Sequence, residues 1–159
     1  MNKIITYRTA TLKDLDYLME LEGKEIKTHE TLDKFYALTA NFQDSVKEYF
    51  KKCLASKDSL FFVACVNEKI VGFVFCKLED YVPIFRYKKH LHILDVFVEP
   101  QFRRAGIAQR MFAEIKRFAK KKGVDFITLN VDVENIAAKN LYIKNGFVKR
   151  MDKMILRME

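Results

Sequence analysis

The stretch from Leu94 to Lys122 constrains the fold of this chain more than any other. Leu94-Asp95-Val96-Phe97-Val98-Glu99-Pro100 is an apolar strand ended by a proline. The basic run Arg103-Arg104-Ala105-Gly106-Ile107-Ala108 follows. Gln109 to Lys122 then sets Met111, Phe112, Ile115, Phe118 and Ala119 at helical spacing, with Gly123 as a stop. A strand that feeds a short basic loop and opens a helix makes an anion site. The first helical N–H groups lack an intrahelical acceptor, and the helix dipole adds roughly half a positive charge there. Gly106 and Ala108 keep side-chain bulk away from an approaching phosphate. The loop is expected to hold phosphate.

At 159 residues the chain is expected to form one domain, residues 1–159, with a single substantial core. Half of its residues are hydrophobic and fourteen are Phe, which excludes a disordered chain. No apolar run approaches the roughly 20 residues of a membrane span, so no membrane partner is expected. Met1 to Tyr7 reads as a first strand rather than a leader, because no long apolar region or cleavage site follows. Cys53, Cys65 and Cys76 form no C-x-x-C pair, and Cys65 and Cys76 fall in apolar strands. Reduced, buried thiols and a cytoplasmic location are expected, with no metal site.

Charge is unevenly placed. Residues 1–100 hold 15 Lys/Arg against 15 Asp/Glu, whereas residues 101–159 hold 14 against 6. The whole +8 excess therefore sits in the half that contains the loop, which favours an anionic ligand. Lys120-Lys121-Lys122 reads as a solvated face, and no helix-turn-helix or RNA-binding signature accompanies it. Nucleic acid is not an expected partner.

The remaining pattern is that of a mixed α/β unit in the order β-α-α-β-β-β-α-β-α-β. Ile4–Arg8 alternates as a strand, and Thr11-x-x-Asp14 resembles a capping box before Leu15, Leu18, Met19 and Leu21. Gly23–Asn41 is read only as helical pieces around Thr31–Leu38. Asp44–Ala55 is expected as a helix, and Leu60–Val66 and Ile70–Leu78 as a hairpin around Asn67-Glu68-Lys69. Tyr81–Lys89 reads as a loop and His90–Val98 as the strand before the phosphate loop. Phe126–Val131 is a further strand, Asn135–Lys144 a short helix closed by Asn145-Gly146, and Phe147–Met158 a closing strand.

Asn135-Ile136-Ala137-Ala138-Lys139-Asn140-Leu141-Tyr142 is the second informative segment. Positions seven apart on a helix differ by about 20°, so Asn135, Ala138 and Tyr142 share one face. That face offers an amide, a small residue and a phenol where a core helix would use Leu or Ile. A capping Asn and a packed Tyr would account for the same pattern. With both segments in order, however, the chain closely resembles the GNAT superfamily of acyl-CoA-dependent N-acyltransferases. Arg103-x-x-Gly106-x-Ala108 matches that family's pyrophosphate signature, and Asn135 to Phe147 its N-x-x-A-x-x-x-Y-x-x-x-G-F pattern.

The resemblance implies acetyl-CoA as cofactor, with the N–H groups of Arg103, Arg104, Ala105, Gly106, Ile107 and Ala108 around its pyrophosphate. It implies that Leu94–Val98, through Val96 and Val98, pairs with the pantetheine arm, and that the Val96 N–H meets the thioester carbonyl. Asn135 would contact the cofactor, and Tyr142 would act as the general acid toward the thiolate. For the general base, Asp95 and His92 both stand, as does water. On a regular strand these two residues point to opposite faces unless a bulge intervenes. His29, Glu30, Asp33 and Tyr36, with Tyr81 and Phe85, are the residues expected around the acceptor, although a solvated helix face reads equally from them. The expected activity is acetyl transfer to a primary amine of a small molecule or peptide. The alternative is a non-catalytic acyl-CoA sensor of the same fold. Members of the family are often dimeric, so a homodimer is compatible with the resemblance.

Overall fold

The computed structural model describes residues 4–30, 37–156 and 158. One sheet contains five strands in spatial and chain order: β1 Ile5–Thr9, β2 Ser59–Val66, β3 Lys69–Asp80, β4 Lys89–Val98 and β5 Ile127–Leu129. The first four pair antiparallel, and β5 joins β4 in parallel. Among the described residues, four α-helices cover the sheet: α1 Leu15–Glu30, α2 Phe42–Leu54, α3 Ile107–Lys122 and α4 Ile136–Lys144. The architecture is the expected mixed α/β class.

Two apolar layers sandwich the sheet. On one face Phe62, Val74, Leu91 and Ile93 pack with Met111, Phe112 and Ile115 of α3. On the other, Phe61, Phe73, Phe75 and Phe97 meet Leu15, Leu18 and Leu21 of α1 and Phe50 and Cys53 of α2. Because both faces are covered, β2 and β3 are apolar along nearly their whole length rather than alternating. Their two-residue turn places Asn67 and Glu68 at φ 49° and 64°, a twist that matches the flanking strands.

Several expected elements differ: α1 runs unbroken through Gly23 to Glu30, β5 covers Ile127–Leu129 rather than Phe126–Val131, and most of the Thr31–Leu38 reading lies outside the described residues. Helix α3 begins at Ile107 rather than Gln109, so Ile107 and Ala108 belong to its first turn. The closing strand is absent: residues 147–156 carry no regular secondary structure, and Val148, Met154 and Leu156 are 83%, 92% and 85% exposed. With β5 only three residues long, the edge it offers can make few ladder bonds to a further strand.

Candidate active site

The basic loop expected to hold phosphate joins β4 to α3. Arg104 adopts φ 63° and Gly106 φ 75°, so the loop turns twice through the left-handed region. Such a conformation in a non-glycine residue costs on the order of 1 kcal/mol and is characteristic of ligand-binding loops. A Cβ at Gly106 would meet no protein atom within 4 Å, so the space beside it is open. The first internal bond of α3 runs from the Arg110 N–H to the Gly106 carbonyl, 3.1 Å. The N–H groups of Ile107, Ala108 and Gln109 thus precede any intrahelical acceptor.

Arg103 plays a different part from the one expected. Its N–H donates to the Pro100 carbonyl (3.3 Å) and its Nε to the Val98 carbonyl (2.9 Å). It braces the loop against the end of β4 through its Nε, and both Arg103 and Arg104 are exposed.

Strand β4 carries the key irregularity. Phe75 of β3 lies opposite Asp95, but the next residue, Cys76, lies opposite Ile93. Leu94 is therefore an extra residue, a β-bulge. Its consequence follows from the alternation of hydrogen-bonded and non-bonded pairs in an antiparallel ladder. The Leu91 N–H is turned away from β3, donating to the Phe126 carbonyl at 3.0 Å, so Leu78 and Leu91 form a non-bonded pair. Counting along β3, Val74 and Val96 are again a non-bonded pair, and the Val96 N–H points outward. Without the bulge it would point into the β3 ladder. The pairing of β5 with β4 ends at Ile93 and Leu129, so Val96 lies on the stretch of β4 edge beyond its neighbour's reach.

Tyr142 approaches from α4. Its ring packs edge-on against Phe112 and Phe147, each 5.9 Å away between centroids. Burial, then the charges of Glu25 and Asp95, push its phenol up to about 12. Gly146 at φ 93° ends α4, with the Phe147 N–H returning to the Tyr142 carbonyl at 3.1 Å. Asn135 caps the same helix: its Oδ1 accepts from the Ala138 N–H at 3.0 Å. That bond uses one lone pair of the Oδ1 and leaves the Nδ2 donors available to a ligand.

The opposite face of β4 holds titratable groups that sequence reasoning paired only partly. His92 Nδ1 and Thr128 Oγ1 are 2.9 Å apart, and burial lowers its pKa, with Glu79 opposing and His90 adding to the effect. Tyr81 lies edge-on to His90 at 5.3 Å and packs with Phe85 at 5.5 Å, so these two expected acceptor residues do gather at the start of β4. Of the others, Asp33 and Tyr36 lie outside the described residues. So do the side chains of His29 and Glu30, in the last turn of α1.

Glu22 and Glu25 of α1 were not anticipated. Their carboxylate oxygens and that of Asp95 lie within 4.8 Å of one another. Glu22 is only 7% exposed, and burial, then Asp95 and Glu25, raise its carboxyl to about 9. A signal was available. Leu15, Leu18, Glu22 and Glu25 follow the three-and-four spacing of an apolar stripe, so two acids occupy core-facing positions.

A basic loop between a strand and a helix, an open strand edge and a buried phenol together make up the candidate site. Residues 24–147 match the Acetyltransferase (GNAT) family, and the chain belongs to it. An uncharacterized N-acetyltransferase of Methanocaldococcus jannaschii is 34% identical over 98% of this chain and 66% of its own length. Human N-acetyltransferase 8 is 32% identical over 70% of this chain and 47% of its own. The chain therefore spans between about half and two thirds of these relatives. The fold recurs in a predicted acetyltransferase of Clostridium acetobutylicum solved with acetyl-CoA, with TM-score 0.78 and 22% identity over 97% of this chain and 96% of that one. Among the described residues, no helix is long and apolar enough to cross a membrane.

Proposed function

We propose that residues 1–159 act as one acetyltransferase domain, moving acetyl from acetyl-CoA to a primary amine of a small molecule or peptide by direct attack in a ternary complex. The observation that carries this reading is the Leu94 bulge, which turns the Val96 N–H onto the open edge of β4. An N–H donor fixed there suits the oxyanion that forms when an amine adds to a thioester. The loop fits the donor's pyrophosphate through its unfilled N–H groups, the cationic Arg104 and the open space at Gly106.

When bound, acetyl-CoA supplies the acyl thioester: the amine lone pair forms the C–N bond, the C–S bond breaks and the sulfur leaves with its electron pair. Tyr142 keeps its proton through physiological pH and donates a hydrogen bond to the departing sulfur, passing the proton on as negative charge builds. The excess proton of the amine passes to a base on the other face of β4, with Asp95 and His92 the residues there. All three cysteines are reduced and buried, which supports a reducing, cytoplasmic setting and argues against a covalent acyl-cysteine step.

The test is thiol release from acetyl-CoA across a panel of amines, against a no-amine control. Amine-dependent release is expected. Binding of acetyl-CoA with no release for any amine would instead indicate a sensor.

A further inference from the structure

We infer that Glu79, His90 and His92 form a binding site for a divalent transition-metal ion, with Zn2+ the ion that suits the donor set. The site lies at the start of β4, and its occupation does not depend on acetyl transfer.

The three side chains share one face of the sheet. Glu79 lies directly opposite His90, and Lys77 opposite His92, two positions along the same pair of strands. One ligand atom from each of Glu79, His90 and His92 lies within 4.8 Å of the other two. Between His90 Nε2 and Glu79 Oε2 the distance is 3.7 Å, too long for a hydrogen bond. Two ligands of a tetrahedral Zn2+, each about 2.1 Å from the ion, stand about 3.4 Å apart. The gap is therefore close to that of two ligands sharing one ion. The sequence pointed to no metal site, because a His-x-His pair on a strand carries little by itself. Only the register of β3 against β4 adds the glutamate.

Both imidazoles are prepared for the role. The His90 side chain is only 12% exposed, and its Nδ1 is sealed from solvent with no hydrogen-bond partner. A buried imidazole so poorly satisfied carries a cost, which a metal–nitrogen bond at Nε2 offsets. Tyr81, edge-on at 5.3 Å, packs against the His90 ring. His92 is held from the other side, its Nδ1 2.9 Å from Thr128 Oγ1. Metal binding selects the tautomer in which Nδ1–H donates to that hydroxyl and the Nε2 lone pair is left for the ion. Lys77, the cation opposite His92, is drawn toward α2, with its Nζ 5.6 Å from the centre of the Tyr49 ring. Two imidazoles and one carboxylate form a set that zinc takes in open sites, with a fourth position for water, whereas Mg2+ and Ca2+ favour oxygen ligands. All three cysteines are buried, so the folded chain presents no competing thiolate at its surface.

Titration calorimetry of the ligand-free protein near neutral pH tests this, with Zn2+ alone and, separately, Mg2+ alone. Zn2+ is expected to bind with a stoichiometry of one per chain, and Mg2+ not to bind at the same concentrations. Glu79→Gln and His90→Gln should each weaken Zn2+ binding by more than about tenfold. Thr128→Val removes only the group that orients His92 and should weaken it by about tenfold. Zn2+ should also raise the melting temperature of the unaltered protein, a readout that stands should a variant fail to fold. A melting temperature that Zn2+ does not raise, equal binding of Mg2+, or Zn2+ affinity unchanged in His90→Gln would each overturn the inference. Glu79 and His90 would then be a cross-strand charge pair and nothing more.

Discussion

Asp95 and His92 project from the same face of β4 although they are three residues apart. The extra residue Leu94 resets the alternation, so they lie opposite Phe75 and Lys77, two positions apart on β3 and about 7 Å along the sheet. Both proposed bases therefore share one face of the sheet, and their environments distinguish them. His92 is held by Thr128 and kept neutral by burial, whereas Asp95 joins the acidic cluster. Asp95→Asn is expected to lower kcat/KM by about 10² or more while acetyl-CoA affinity stays within about twofold. His92→Gln should cost less than about tenfold. The reverse ranking in steady-state kinetics would move the base to His92.

Gly106 is required by its backbone. At φ 75° an L side chain is strained by roughly 1–2 kcal/mol, although a Cβ there would touch nothing. Gly106→Ala should therefore lower thermal stability modestly and coenzyme A affinity by less than tenfold. Gly106→Asp adds an anion at the phosphate site and should weaken coenzyme A binding by about a hundredfold or more. Calorimetric titration of both variants checks the contrast, and retained affinity in the aspartate variant would disprove the loop assignment.

Gly72 is required by packing. A Cβ would lie 2.8 Å from the Phe97 carbonyl oxygen and 3.3 Å from the Val98 Cα, both backbone atoms of β4. Relief would have to come from displacing the strand that carries Val96. Gly72→Ala is expected to destabilise the protein by about 2 kcal/mol or more and to weaken coenzyme A binding with it. Denaturant unfolding and titration would show both losses; a variant as stable as the parent would contradict the close approach.

The strand–loop–helix turn around Gly106 was legible in the sequence because its ingredients are local: a terminating proline, glycine at a turn, a helical period directly after. Gly146 and the Asn67-Glu68 turn were legible for the same reason. The bulge was harder, since one inserted residue leaves both flanking runs apolar. The only trace is Ile93 and Leu94 standing side by side where polar and apolar should alternate. Glu22 and Glu25 were passed over because acids on a helix usually face water, and only their place on the Leu15–Leu18 stripe says otherwise. The expected closing strand shows the opposite error. Alternation in Phe147–Met158 is a capacity to pair, and the three-residue β5 gives it little to pair with.

Stability should respond to pH at both ends of the range, with opposite signs. Arg8 grips Asp14 through two 2.7 Å hydrogen bonds, and the Thr11 N–H adds a third at 2.8 Å. The Arg8 hydrogen bonds, opposed by partial burial, hold Asp14 down to about 2. Its contribution is present above the usual carboxylate range and is lost as pH falls toward 2. It amounts to about 1 kcal/mol after discounting for Arg8, which is 45% exposed. Glu22 acts the other way. Its pKa is raised from 4.5 to about 9, so the folded chain holds a proton that the unfolded chain releases. Stability is full below the lower value and declines toward the upper one, by at most about 1.4 kcal/mol per pH unit. Melting curves of the ligand-free protein from pH 5 to 9 should fall more steeply than those of Glu22→Gln; parallel curves would refute the assignment.

Tyr142 separates a packing role from a chemical one. Its ring fills the space between Phe112 and Phe147, and Tyr142→Phe retains that ring. The variant should therefore melt within a few degrees of the parent and bind acetyl-CoA almost as well. What it loses is the hydroxyl, whose partner in the proposed reaction exists only as the C–S bond breaks. An interaction confined to the transition state lowers kcat and kcat/KM together and leaves KM near its parental value. A loss of about 10² in both is expected if the phenol assists the departing sulfur. A donor thioester with a more acidic thiol needs less help, so the penalty should shrink with it. An unchanged kcat in Tyr142→Phe would assign the residue to the core of α4 and leave the sulfur to take its proton from water.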